Sequence, residues 1–167
     1  MNEKLKAQER KYKARDTLYT AISIGAVLIL IGVVYVLAQP NSLWESIVTF
    51  FSDLTLRSVP RTGISLPAPA NPAAHEVLYS AALQFCIGLG ILQVILLLLR
   101  FMMHSPIGKK AETVGNLVYW FGASYLITNY LYDTPNNTQW FMFWAGILII
   151  LGLSLVARAF VLMTKRK

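Results

Sequence analysis

The chain has 167 residues, of which 56% are hydrophobic and 14% charged, and its formal net charge is +7. A soluble domain of this length cannot bury so much apolar surface, so the composition indicates an integral membrane protein. The single cysteine, Cys86, lies in an apolar run, which excludes an intrachain disulfide and argues against a cysteine-based redox or metal site.

The first apolar run, residues 17–38, follows a basic segment at residues 1–16 and contains no charged residue. At about 1.5 Å per residue, such a helix crosses the roughly 30 Å hydrocarbon core of a bilayer. A cleaved signal peptide is the alternative, but the run exceeds the roughly 7 to 15 apolar residues of a signal sequence. We therefore predict a first transmembrane helix at residues 17–38.

The loop at residues 39–76 contains its own helix signal. Ser42 is followed three residues later by Glu45, a spacing that predicts a capping box and a helix over residues 43–55. On that helix the apolar residues fall on one arc and the polar ones on the other, so we predict that it is amphipathic.

The apolar arc of this predicted helix includes Trp44, Phe50 and Phe51, which are expected at an interface. The helix then lies on the outer lipid surface or covers the mouth of the bundle. Residues 57–70 contain three prolines and a glycine, a composition that favours extended backbone, and are predicted to be a linker.

A second transmembrane helix is predicted over residues 72–103, because residues 77–99 are uncharged and Asn71 can cap a helix that begins at Pro72. A connection at residues 104–113 follows, in which Ser105 and Pro106 can cap the next helix.

The third transmembrane helix is predicted over residues 114–132. Its apolar part is short, so we expect neighbouring helices to support it. Residues 133–139 have the composition of a turn, which predicts a hairpin to a fourth helix at residues 140–163 and a tail at residues 164–167.

The basic residues orient this four-helix, all-α bundle. Of the 15 lysines and arginines, 13 lie in the N-terminal segment, around the second connection (Arg100, Lys109 and Lys110) and at the C-terminal end from Arg158 onward. The positive-inside rule then places both termini and residues 104–113 in the cytoplasm, and residues 39–76 and 133–139 outside the cell membrane. Because these charges lie near the membrane ends, we expect them to contact lipid headgroups of the bilayer and not nucleic acid.

Small and polar residues recur at spacings of four and seven in three of the predicted helices. Such stripes let helices approach closely in lipid, so we interpret them as helix-packing positions. They are Ala21, Gly25 and Gly32 in the first helix, Ser80, Gln84 and Gly88 in the second, and Ala145, Gly152 and Ala159 in the fourth.

Four ionisable residues of the outer loop, Glu45, Asp53, His75 and Glu76, are the candidates for a chemical site. Adjacent His75 and Glu76 point about 100° apart on a helix and do not form a spaced ligand pair. We therefore expect capping and solvent-facing roles for them, and we predict no metal, cofactor or catalytic residue.

Three functions are compatible with these sequence features. The spans carry no carboxylate at mid-membrane depth, which lowers the case for an ion-coupled carrier. The leading hypothesis is a non-enzymatic accessory or scaffold subunit that associates with other membrane subunits or with its own copies through its helices. The alternatives are a small passive channel or transporter formed by oligomerisation, and a membrane enzyme using His75 and Glu76 at its outer surface.

Two segments carry a family resemblance. Leu66–His75, read as LPAPANPAAH, and Lys110–Asn116, read as KAETVGN, each lead into a predicted helix. In these segments the chain, over residues 66–167, resembles a set of small archaeal-type integral membrane proteins of unknown function. The resemblance implies the membrane class and no activity, ligand or site residue, and residues 1–65 lie outside it.

Overall fold

The computed structural model describes residues 2–132 and 135–164, with the side chains of residues 17–39, 42–132 and 135–164. These residues are almost entirely helical, which confirms the all-α prediction. The predicted tail from residue 165 onward and residues 133–134 of the predicted turn lie outside this range. The helices are α1 Asn2–Leu37, α2 Pro40–Ser52, α3 Glu76–Met102, α4 Ile107–Tyr130 and α5 Asn137–Met163.

The long helices pack in a row. Helix α3 lies between α1 and α4, and α4 lies between α3 and α5. Close approach depends on glycines, because a Cβ atom at Gly88 would overlap the side chain of Leu30, and one at Gly146 would lie 2.8 Å from Cδ2 of Leu126. The absence of side chains at these positions therefore permits the tight α1–α3 and α4–α5 contacts.

Within the described part of the chain, three helical segments are long and apolar enough to cross a membrane: Thr17–Leu37, Pro72–Met102 and Asn137–Met163. Helix α4 is not among them, since it carries several polar and aromatic residues. Its hydroxyls are satisfied locally, because Ser124 Oγ donates to Phe121 O at 2.8 Å and Thr128 Oγ1 donates to Ser124 O at 3.0 Å. Helix α4 is thus less apolar than α3 and α5, and it is covered on two sides by these two helices.

Helix α2 begins at Pro40 and not at residue 43, and the predicted capping box is wrong. Gln39 adopts a left-handed backbone conformation with φ of 58°, which turns the chain sharply after α1. Ser42 therefore lies inside the first turn, and its Oγ donates to the carbonyl oxygens of Ala38 at 2.8 Å and Gln39 at 2.9 Å.

A β-hairpin replaces the predicted linker and the end of the predicted amphipathic helix. Strand β1, Leu54–Ser58, pairs antiparallel with β2, Ser65–Pro69, in a two-stranded sheet. Proline has no N–H to donate, but in a two-stranded sheet both strands are edges and tolerate it. The extended backbone expected from the prolines is present, and the pairing is the feature that composition did not predict.

The helix starts also differ from prediction. Pro72–His75 forms a 3₁₀ turn ahead of α3, and the Asn71 side chain makes no capping hydrogen bond there. Helix α4 begins at Ile107, so residues 103–106 form a much shorter connection than predicted, and Ser105 does not cap it.

Helix α5 begins three residues before the predicted residue 140. Its start is a reciprocal capping box, in which the Gln139 N–H donates to Asn136 Oδ1 at 3.0 Å and the Asn136 N–H donates to Gln139 Oε1 at 2.9 Å. These bonds satisfy two backbone donors at the helix start.

Candidate functional site

Asp53 stands at the junction of α2, the hairpin and α3. It follows the last residue of α2 and precedes β1, and Leu54 pairs with Pro69 across the sheet. This pairing carries the next residues together: the Ala70 N–H donates to Asp53 O at 2.9 Å, and the Asn71 N–H donates to Asp53 Oδ2 at 3.0 Å. The hairpin thus delivers a carboxylate to the start of α3.

His75 is the partner of this carboxylate. It ends the 3₁₀ turn, is only 1% exposed, and its Nε2 lies 3.0 Å from Asp53 Oδ2. An ionised carboxylate only accepts hydrogen bonds, so Nε2–H is the donor. The Asn71 N–H and the His75 ring together hold the pKa of Asp53 below its ordinary value of 3.8.

Aromatic side chains enclose the His75 ring. Phe50 meets it edge-on with ring centroids 5.2 Å apart, and Tyr79 meets it at 6.4 Å. Trp140 of α5 contacts both Phe50 and Tyr79, and its Nε1–H donates to Pro67 O at 3.4 Å. We call α2, the hairpin and the 3₁₀ turn, residues 40–75, the outer module, after the side of the membrane that the basic residues predict for this loop. This cluster joins the outer module to α3 and α5.

The geometry of His75 limits its chemistry. A histidine oriented by a carboxylate is the arrangement found in general bases and metal ligands. Here the ring is closed off by aromatic side chains, and no group of three His, Cys, Asp or Glu side chains that could hold a metal occurs among the described residues. The Asp53–His75 contact links the end of α2 to the start of α3. The expectation that His75 faces solvent is wrong.

His75 and Glu76, the two residues of the low-ranked enzyme hypothesis, lie in different surroundings. His75 turns into the outer module, whereas Glu76 is exposed and lines a cleft between α3 and the α1–α2 corner. The carboxylate that contacts His75 is therefore that of Asp53 and not that of Glu76. Asp53 directly follows the amphipathic helix in the sequence. Its contact with His75 could have been predicted from that position only if the hairpin had been predicted as well.

The three predicted interfacial residues divide between two surfaces. Phe50 packs on His75 and Trp140, whereas Trp44 is 65% exposed and Phe51 68% exposed. Helix α2 therefore packs against the end of the bundle with one part of its apolar arc, and the rest of the arc is exposed.

The small-residue stripe of α1 faces away from the bundle. Leu30 contacts α3 at Gly88, and Gly32, two residues further on, lies about 200° around the helix from Leu30. A Cβ atom at Gly25 or Gly32 would meet no atom within 4 Å, and Ala21 is exposed. Of the predicted α3 stripe, Gly88 contacts α1, while Ser80 and Gln84 line the cleft beside Glu76.

The stripe of α5 shows the same arrangement. Ala145, Gly152 and Ala159 are all exposed, and a Cβ atom at Gly152 would meet no atom within 4 Å. Helix α5 contacts α4 through Gly146, Ile150 and Ser154 instead. These contacts use the opposite face, so the predicted stripe does not form the contacts of α5 with α4.

Arg100, which the sequence analysis counted only as a positive charge, also joins α3 to α4. Its guanidinium donates to the backbone oxygen of Lys109 and, at 2.6 Å, to Thr113 Oγ1. Thr113 is 1% exposed, so its buried hydroxyl accepts a hydrogen bond from the charged Arg100 side chain. This bond holds the end of α3 against the start of α4.

Comparisons of the chain with protein-family models, curated proteins and solved structures found no match. Inference about function therefore depends on the geometry of the chain itself.

Proposed function

We propose that this protein crosses the cell membrane four times, with both termini in the cytoplasm, and acts as an accessory or scaffold subunit through helix–helix association. Helix α4 supplies the fourth crossing. Its 24 residues have a length of about 36 Å, which suffices for the hydrocarbon core, and its neighbours α3 and α5 shield it from lipid. The distribution of basic residues supports the orientation.

The observation that carries the association function is the outward placement of the small-residue stripes. In lipid, helices are held together mainly by close packing, for which glycine and alanine are suited. Gly25, Gly32 and Gly152 face open space, although glycine costs roughly 1 kcal/mol relative to alanine in a helix interior. A partner helix, from another subunit or a second copy, would use these positions.

A channel is less well supported within one chain. A water-filled path would be lined by polar groups in need of partners, but the hydroxyls of Ser124 and Thr128 in α4 donate to their own helix backbone. They are therefore already satisfied and do not require a water-filled path.

Association is tested by extracting the full-length protein from its native membrane in mild detergent and measuring the mass of the complex. We expect an assembly larger than one chain, and we expect Gly25→Leu with Gly32→Leu to dissociate it. Val33→Leu is the matched control, because Val33 is 48% exposed and lies about 100° from Gly32 on the same helix. A monodisperse single chain, or an assembly indifferent to the glycine variants, refutes the proposal.

Orientation is tested separately with single cysteines introduced into a Cys86→Ala background. Thr62→Cys in the hairpin turn should react with a membrane-impermeant maleimide added to intact cells, and Gly108→Cys should react only after lysis. Gly108 is a suitable site because space around it is open. Labelling of both sites from the same side contradicts the four-span topology.

A further inference from the structure

The cleft beside Glu76 lies where α1 turns into α2 and meets the first turns of α3. Its volume is about 410 Å³, within the range of small-ligand sites. One wall is the α1–α2 corner with Gln39 and Ser42, and the other is α3 with Glu76, Ser80 and Gln84. The cleft opens beside the outer module.

The α3 wall is a polar ridge. Glu76, Ser80 and Gln84 are spaced by four, so they lie above one another on one helix face and extend about 12 Å along the axis. The next position on this face is Gly88, where Leu30 of α1 packs against the helix. The ridge therefore begins with a carboxylate at the cleft mouth and ends at a closed apolar contact.

The polar groups of the ridge have no partner among the described side chains. Among the residues whose side chains are described, none forms an ion pair or a side-chain hydrogen bond with Glu76, Ser80 or Gln84. Gln84 is exposed on the wall of the cleft. In the proposed membrane, an unpaired amide at this position would be unfavourable against lipid. The carboxylate of Glu76 accepts hydrogen bonds only, and a cation is its best partner.

We propose that this cleft binds the primary ammonium group of an amphiphile, with Glu76 accepting from the ammonium and the Ser80 hydroxyl and Gln84 amide donating to ester or hydroxyl oxygens deeper in the cleft. This order of groups, ammonium outermost and ester oxygens below, is the order in an aminophospholipid at a membrane surface. The ligand chemistry is shared by a membrane lipid and by a soluble primary amine. Its assignment to the outer leaflet rests on the proposed orientation.

The test is native mass spectrometry of the delipidated full-length protein with added phosphatidylethanolamine, phosphatidylcholine or phosphatidylglycerol. Loss of a charge-assisted hydrogen bond corresponds to about a tenfold change in affinity. We expect phosphatidylethanolamine to bind about tenfold more tightly than the other two lipids, and Glu76→Gln to remove this preference. Glu45→Gln, an exposed carboxylate outside the cleft, is the matched control and should retain it.

Ser80→Leu, which fills the cleft and leaves Glu76 in place, should also remove the preference and decides the question if Glu76→Gln does not fold. Equal affinities for the three lipids, or an unchanged preference in both cleft variants, overturn the proposal. Competition by soluble glycerophosphoethanolamine would assign recognition to the headgroup amine alone, and binding of the lipid without such competition would assign it to the whole lipid. The lipid affinities and the mass of the native assembly are separate measurements. Failure of the association proposal can therefore be distinguished from failure of the lipid-binding proposal.

Discussion

Replacing Gly122 with alanine tests how closely α4 and α5 approach each other. A Cβ atom at this position would lie 2.5 Å from Cγ2 and 2.7 Å from Cδ1 of Ile150, whereas optimal carbon–carbon contact lies at about 3.5 to 4.0 Å. Ile150 is 9% exposed and β-branched, so its side chain has few alternative rotamers.

The expected change in the free energy of unfolding combines two opposing effects of the added methyl group. Overpacking of a core costs about 1 to 3 kcal/mol, and the replacement of glycine by alanine in a helix returns about 0.5 to 1 kcal/mol. Gly122→Ala should therefore lower the free energy of unfolding by up to about 2.5 kcal/mol, with the short contacts to Ile150 favouring the upper part of this range. Gly152→Ala is the matched control because its site is open, and it should be neutral or stabilising by up to about 1 kcal/mol.

Denaturation by SDS in mixed micelles measures these differences, and a double-mutant cycle assigns their cause. Ile150→Ala removes the atoms that a Cβ at Gly122 would strike, at a cost of about 2 to 5 kcal/mol by itself. In that background Gly122→Ala should no longer destabilise the protein. If the two changes are additive, or if Gly122→Ala matches Gly152→Ala, the close α4–α5 contact is wrong.

The pKa of Asp53 is held below its ordinary value of 3.8, so its contribution to stability is complete above that value and is lost as pH falls through the lower folded value. Near-ultraviolet circular dichroism of the aromatic cluster should fade in this acid range, and Asp53→Asn should flatten the profile. Arg100→Gln should cost about 1 to 3 kcal/mol in SDS unfolding, whereas exposed Arg158→Gln should change it by less than about 0.5 kcal/mol. Buried Trp140→Ala should cost about 3 to 5 kcal/mol, and the exposed Trp44→Ala should leave stability nearly unchanged. Equal effects for the two members of either pair contradict the burial pattern.

The long helices could be predicted because their signal is local. An uncharged run of about twenty residues implies a helix long enough for a bilayer wherever it occurs. Helix ends were less predictable, since they depend on single backbone torsions. Gln39 shows this: its left-handed conformation moves the start of α2 to Pro40, and Ser42 then bonds backward to Ala38.

The tie between Asp53 and His75 could not be predicted in the same way. The two residues are 22 positions apart, and their meeting depends on the pairing of Leu54 with Pro69. Prolines indicated extended backbone in this region, but composition does not determine which extended segments pair or in which register. His75 consequently had the sequence context of a solvent-facing helix start and the structure of a buried residue.

The glycines show why spacing predicts a close approach without identifying the partner. Gly88 and Gly122 face side chains of this chain, whereas Gly25, Gly32 and Gly152 face open space. All lie in long helices, and a repeat of four or seven defines a face without stating what lies opposite. Since the neighbours of α1 and α5 within the chain occupy the faces on the other side, a helix that contacts these open glycines has to come from outside the chain.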